Sequence, residues 1–379
     1  ARSTVTSTPQ KQPFKPVQGN DPTRETEETG NRSSRPINTH SIMRVHMLKG
    51  HDRAITSITL NYDGDLFFST SKGPTITLWY SCDGVRLGTY SGHKGTVWSV
   101  DPSRDSKRLL SASADNFVKL WELETGRELF TWDAKVPMRF VQHAEGEKMF
   151  LAVTDNVLGK MPSILIHKLD RDLSKLEAQP MKVLEMKEGK YKILGAHWGP
   201  LNETIFSCDE SGLITVWDVE TGKVKHVIDE HSAAVKHLHF TRDRGAFLSS
   251  SSDHTARLFD SRTYKCMKVY ETGRPINDAA LHPTMDHIAL AGGQSARDVT
   301  QKSNDPMQFA TRVHHSIFLE EIACIPGHFG PVNALDYSPD GKVLITGGED
   351  GYIRLNFLED EYNVALSDKE YFSKKMDRL

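Results

Sequence analysis

The sequence predicts an all-β chain folded as a seven-bladed β-propeller, with an N-terminal arm that has no fold of its own and a short C-terminal helix. Three observations carry that prediction. A Gly-His pair or its equivalent recurs along the chain, each such His is followed four residues later by an apolar residue that opens a short strand, and the units are spaced by about 42 residues. A period of that size, filled by four short β-branched and aromatic runs between Gly, Asp and Asn, is the length of one propeller blade.

Gly-His stands at Gly50-His51, Gly92-His93 and Gly327-His328, and Glu230-His231 lies in the same setting; the strands open at Ile55, Val97, Val332 and Val235. Weaker units align on Met138, Ile193 and Ile276, which puts the equivalents of the His at Ala134, Gly189 and Thr272. From His51 to His328 the steps are then 42, 41, 55, 42, 41 and 56 residues, giving seven units. The two long steps belong to blades three and six. Their surplus is expected in the turn between second and third strands, at residues 155–163 and 294–312, and so on one face of the ring.

The seventh unit offers three strands, the last at 352–358. Arg44–Leu48 is expected to supply the fourth, which closes the ring and removes two exposed sheet edges. The organisation is then a low-complexity extension at 1–42, the propeller at 43–360 and a C-terminal tail at 361–379. The extension is rich in Thr, Ser, Pro, Gln, Glu and Arg, too poor in apolar side chains to offset its ordering entropy, so it is disordered or ordered by a partner. In the tail, Ser367 and Glu370 form a capping-box pattern ahead of Tyr371, Phe372, Met376 and Leu379 on one helical face.

Composition excludes several function classes. With 47 basic against 50 acidic side chains and a net charge of -3, no global positive field is available for nucleic acid or an anionic membrane. Direct RNA contact is left open only for local Lys/Arg-bearing loops. There is no apolar run of about 18 residues and no secretory h-region, so a cytoplasmic protein with no membrane partner is expected. Cys82, Cys208, Cys266 and Cys324 are scattered without a CxxC pair, which argues against a disulfide framework or a zinc module and for buried thiols in a reducing compartment. No GxxxxGK[ST], HExxH or GxSxG pattern is present, and no cofactor or metal is expected.

One constellation tempts a hydrolase reading: His93, Ser111 and Asp115, with Trp121 behind them. The repeat argues against it. The same spacing gives His231, Ser249, Asp253 and Phe259 in blade five, and His328, Thr346, Asp350 and Asn356 in blade seven. Blade one has His51, Ser69 and Trp79, with Gly73 at the position of the acid, and blade four keeps Trp217. A catalytic set need occur once, whereas a fastener recurs in each unit and decays unit by unit. These residues resemble the WD-repeat family, in which the His of the inter-blade loop bonds the turn Asp and a network runs through Ser or Thr to the Trp. His237 and His239 share a strand face as two metal ligands might. No acid or thiol nearby at suitable spacing completes a site, and surface or strand-packing histidines are the favoured reading.

The remaining candidates bind partners. Arg257, like Lys119 and Arg354, sits four residues after a turn Asp or its equivalent; Asp243 and Asp260 occupy two neighbouring turns of blade five, placed to grip an Arg or a Tyr hydroxyl from a peptide. Against that stands the ordinary turn-capping role of Asp. Arg297 and Asp298, in the blade-six insertion, are the other two candidates.

Several stretches are more specific than a repeat signature. Leu87 through Asp101 (LGTYSGHKGTVWSVD), Trp198-Gly-Pro-Leu201, Gly292-Gly-Gln294 followed by Asp298-Val-Thr300, and Gly327-His-Phe-Gly-Pro331 through Arg354 resemble the subunit i family of eukaryotic translation initiation factor 3. The similarity runs from Met43 to about residue 358 and leaves 1–42 as an extension outside it. The resemblance implies a seven-bladed propeller without enzyme activity that receives segments of subunits b and g. It further implies that the chain travels with the factor on the small ribosomal subunit during initiation and scanning, and no homo-oligomer is expected. The alternative is a WD-repeat adaptor in receptor or kinase signalling, against which the Asp298-Val-Thr300 loop weighs.

Overall fold

The computed structural model describes residues 43–157, 160–186, 191–293 and 306–358. The extension at 1–42, Arg297 and Asp298, and the tail at 361–379 with its expected helix lie outside them. The described residues form seven four-stranded antiparallel sheets, with three short 3-10 turns and no α-helix. Each sheet is one blade of a β-propeller. The inner strands are Ile55–Leu60, Val97–Pro102, Met138–His143, Ile193–Trp198, Val235–Phe240, Ile276–Leu281 and Val332–Tyr337, opening at the seven residues the repeat singles out. They touch one another in cyclic order, the seventh against the first.

Burial falls from the middle of each blade outward, and sequence follows it. Second strands are covered on both faces by adjacent blades and read as nearly unbroken apolar or small runs, as in Phe67–Ser71 and His287–Gly292. Outermost strands are largely solvated; four of the five residues of Val224–Ile228 are exposed. The core lies between blades. Phe68, Leu78 and Tyr90 of blade one pack on Val97, Leu109 and Trp121 of blade two, and Leu110, Leu120 and Trp132 of blade two pack on Met138, Val141 and Phe150 of blade three. Each such fully buried side chain contributes about 2–3 kcal/mol. Aromatic tips on the fourth strands reach across the same seams: Tyr90 Oη donates to the Leu123 carbonyl at 2.7 Å, Trp132 Nε1 to that of Glu177 at 2.9 Å, and Tyr270 Oη to that of Ser316 at 2.7 Å.

The last blade is completed from the other end of the chain. Met43–Lys49 pairs antiparallel with Tyr352–Leu358, from Met43 opposite Leu358 to Lys49 opposite Tyr352. Every blade also carries a one-residue bulge at the start of its inner strand, skipping Thr56, Trp98, Arg139, Leu194, Lys236, Asn277 and Asn333. A bulge re-aims the extra side chain.

Two expectations need correction. Blade six carries its surplus between second and third strands, at 293–310, as expected, but blade three divides its own. There the second-to-third connection has eight residues, 155–162, and the third-to-fourth has thirteen, 169–181, against three and five in blade two. The longer segment is held by its own contacts. It forms a 3-10 turn at Leu173–Lys175 capped by Asp172, takes the Trp132 bond at Glu177, and offers the Asp170 and Arg171 carbonyls to Arg108 at 2.8 and 2.6 Å. The cysteines are all free, but only Cys208 is buried; Cys82 is exposed because it lies in the turn beyond Tyr80, while Cys266 and Cys324 are intermediate.

Candidate partner-binding site

The recurrent His, Ser and Asp converge in each blade that has them. In blade two His93 Nε2 lies 2.7 Å from Ser111 Oγ and Nδ1 2.9 Å from Asp115, and Trp121 Nε1 donates to Ser111 Oγ at 2.8 Å. Blade five repeats the first two bonds with His231, Ser249 and Asp253, at 2.6 and 2.8 Å. Blade seven does so with His328, Thr346 and Asp350. In blade one His51 reaches Ser69 at 2.8 Å and Trp79 donates to the same oxygen at 2.9 Å, with no acid beyond; in blade four Trp217 donates to Ser207 at 2.8 Å. The strand register explains this decay. Trp79, Trp121, Trp217, Phe259 and Asn356 all stand at one register position, occupied by His167 in blade three and His314 in blade six.

Electrostatics separates the complete networks from the truncated one. Burial opposes ionisation of Asp115, but the His93 ring and the Lys94 and Phe117 amides outweigh it and hold the carboxyl down to about 2. Asp253 is held down to about 2 in the same way, by Thr255 and His231. His51, without an acid, is pushed down to about 4 by burial and by Arg86. Ser111 is 0% exposed, so no substrate reaches its hydroxyl.

The cations after the turn Asp are paired within the ring. Arg257 meets Glu230 at 2.9 Å, Lys119 meets Glu128, and Arg354 lies with Nη2 3.6 Å from Met47 Sδ. On the opposite face Asp243 and Asp260 each commit one oxygen to their own turn. Asp243 Oδ1 accepts from Thr241 Oγ1 at 2.6 Å and the Gly245 amide at 3.0 Å. Asp260 Oδ1 accepts from the Arg262 and Thr263 amides at 2.9 and 2.7 Å. Those bonds, with Arg262 near both, keep the two carboxyls below the usual carboxylate range. The turns are stitched together by Ser261, whose amide and hydroxyl donate to the Gly245 carbonyl at 3.0 and 2.9 Å.

Asp243 lies on the wall of a recess of about 950 Å³ at this mouth of the axial channel, where Tyr62, Arg104, His143, Leu201, Arg242, Arg244 and Asp336 also project. Deeper, the seven bulged residues line a second cavity of about 390 Å³. No sequence pattern marks this ring, since a one-residue bulge breaks the alternation that would reveal it. There His237 Nδ1 bonds Asp278 at 2.7 Å, and the other Asp278 oxygen accepts from the Leu335 amide at 2.8 Å. His239 is pushed down to about 4 by burial and by His237. Among the described residues no group of three His, Cys, Asp or Glu is placed to hold a metal ion, and no helix is long and apolar enough to cross a membrane.

The geometry is that of a closed seven-bladed ring, and comparison with known proteins says which family of propellers it belongs to. The family model EIF3I matches residues 43–367. The chain belongs to the eukaryotic translation initiation factor 3 subunit I family. It is 40% identical over 321 residues to that subunit of Xenopus tropicalis and of Homo sapiens, covering 84% of this chain and 98% of each relative. The Drosophila melanogaster subunit I is also 40% identical, over 322 residues with the same coverage. The family match thus spans all seven blades and the closing N-terminal strand.

Proposed function

We propose that this subunit is a non-catalytic scaffold of initiation factor 3, working in the cytoplasm and binding segments of subunits b and g. It supports initiation and scanning on the small ribosomal subunit through the assembled factor. Membership of the subunit I family over the whole propeller carries the reading. Burial of Ser111, and the repetition of its network in other blades, supports a structural role for the one set that looks catalytic. Asp243 and Asp260 form the grip for a peptide of subunit b: their turns bond Oδ1 and leave Oδ2 for an incoming guanidinium or hydroxyl.

Reversing both charges, Asp243→Lys with Asp260→Lys, is expected to abolish co-purification with subunit b while the melting temperature stays within a few degrees of wild type. Undiminished co-purification with a folded double variant would refute the grip.

A further inference from the structure

The turn between first and second strands has one template in most blades. Its third residue is Asp63, Asp105, Asp243 or Asp340 in blades one, two, five and seven, followed by a left-handed residue, Gly64, Ser106, Arg244 or Gly341. Blade three uses two left-handed residues in succession, and the first is glycine: Gly146 at φ 82° and Glu147 at φ 55°. Blade four has the same pair of left-handed positions but places Leu201 at φ 56° before Asn202 at φ 58°. Asparagine tolerates this conformation, whereas leucine stores backbone strain of about 1 kcal/mol or more in it; Leu319 adopts it too, at φ 64°, but is 41% exposed.

The strain is not offset by packing, because Leu201 is 77% exposed. It is imposed from the flanks. Asn202 bonds blade three reciprocally, its Oδ1 accepting from the Glu145 amide at 2.9 Å and its Nδ2 donating to the Glu145 carbonyl at 2.8 Å. Pro200 fixes the preceding residue, and the Gly199 amide donates to the Thr204 carbonyl at 2.8 Å. A leucine is thus held rigidly into solvent on the wall of the recess that Asp243 shares.

The charges around it select the occupant. Three cations of the recess have direct partners, Arg104 and Arg242 over the Tyr62 ring and Arg244 donating to the Trp198 carbonyl, while Arg262 and Lys225 are farther along blades five and four and stand in the field of Asp243, Asp260 and Asp218. Glu145 and Glu203, flanking Leu201, are exposed and their carboxylates make no hydrogen bond or ion pair among the described residues. We propose that Leu201 is the apolar anchor of this face and receives a partner segment in which apolar side chains alternate with lysine or arginine. The inference rests on the reading that subunit b docks here, and extends that site from blade five to blade four.

Glycine at 201 relieves the strain and deletes the anchor, so stability and binding should move in opposite directions. With the purified full chain and purified subunit b, Leu201→Gly is expected to melt at or above wild type and to bind roughly ten- to thirtyfold more weakly. Wild-type affinity in Leu201→Gly, or a lowered melting temperature, overturns the anchor. If affinity is unchanged while the Asp243/Asp260 charge reversal abolishes binding, the anchor falls and the grip stands; the reverse pattern keeps the anchor and removes the grip. Should wild type not bind subunit b, the docking reading fails, and benzoylphenylalanine at 201 in the reconstituted factor decides the anchor. A photo-crosslink to a basic, apolar-alternating segment of another subunit supports it, and the absence of any crosslink overturns it.

Discussion

At the residue scale the recurring network has one consistent polarity. The Trp N–H donates to the Ser oxygen, the Ser hydroxyl donates to His Nε2, and His Nδ1–H donates to Asp, so each buried polar atom on the path has a partner. Removing the Asp strands a buried N–H. Asp115→Ala is expected to cost roughly 1–3 kcal/mol, read as a lowered urea midpoint at pH 7. Because the Asp115 carboxyl is depressed to about 2, its contribution is fully present above the unfolded carboxylate pKa and is lost as pH falls through about 2. The difference between variant and wild type should therefore be full at pH 7 and shrink below pH 4. This part of the site was legible in sequence because seven copies could be compared. Leu201 was not: its anomaly is a backbone conformation, visible only once its turn is set beside that of Gly146.

Individual elements divide the same way. The inner strands were legible to the residue: four open on an apolar side chain four positions after a His, and the other three follow from the repeat spacing. The blade-three insertion was not, since total repeat length says how many residues are extra and nothing about which turn holds them. Segment 169–181 is recognisable only through the carbonyls it presents to Arg108 and Trp132, three-dimensional contacts with no local pattern. The closing strand was legible from an absence, a seventh blade one strand short. Its pairing of Met43–Lys49 with Tyr352–Leu358 joins the two ends of the propeller, and Leu48 packs in the seam between blades seven and one. Deleting residues 1–48 is expected to expose a strand edge and that seam and to yield aggregates, whereas deleting 1–42 keeps the closing strand and a soluble monomer. Size-exclusion chromatography of the two truncations tests this; equal solubility would remove the strand from its closing role.

Across the whole molecule, the ring is also tied around its axis by side chains that accept backbone amides of the next blade. Asp101 accepts from His143 N at 2.6 Å, Gln142 from Trp198 N at 3.0 Å, and Asp278 from Leu335 N at 2.8 Å, while Asp336 takes the Leu60 amide. Buried titratable groups, on the axis and between blades, make the fold sensitive to pH, with opposing signs. Burial pushes His51, His167 and His239 down to about 4, so each contributes stability that is complete above its unfolded pKa near 6.5 and is lost as pH falls toward 4. Asp336 opposes them. Burial and the neighbouring Asp278 raise it to about 7, so the folded state binds its proton more tightly and gains stability as pH falls from 7 toward 4. Burial lowers His197, His231, His282 and His314 as well, so the depressed histidines outnumber the two raised groups, Asp336 and His237, and the melting temperature is expected to drop between pH 7 and pH 5. Asp336→Asn separates the two contributions, since Asn keeps an acceptor for the Leu60 amide without the buried charge. The variant should melt higher than wild type at pH 8, equal it near pH 4, and therefore lose more stability on acidification. A variant that melts no higher at pH 8 would mean that water in the channel already solvates the ionised carboxylate, and the acid sensitivity of the fold would then come from the histidines alone.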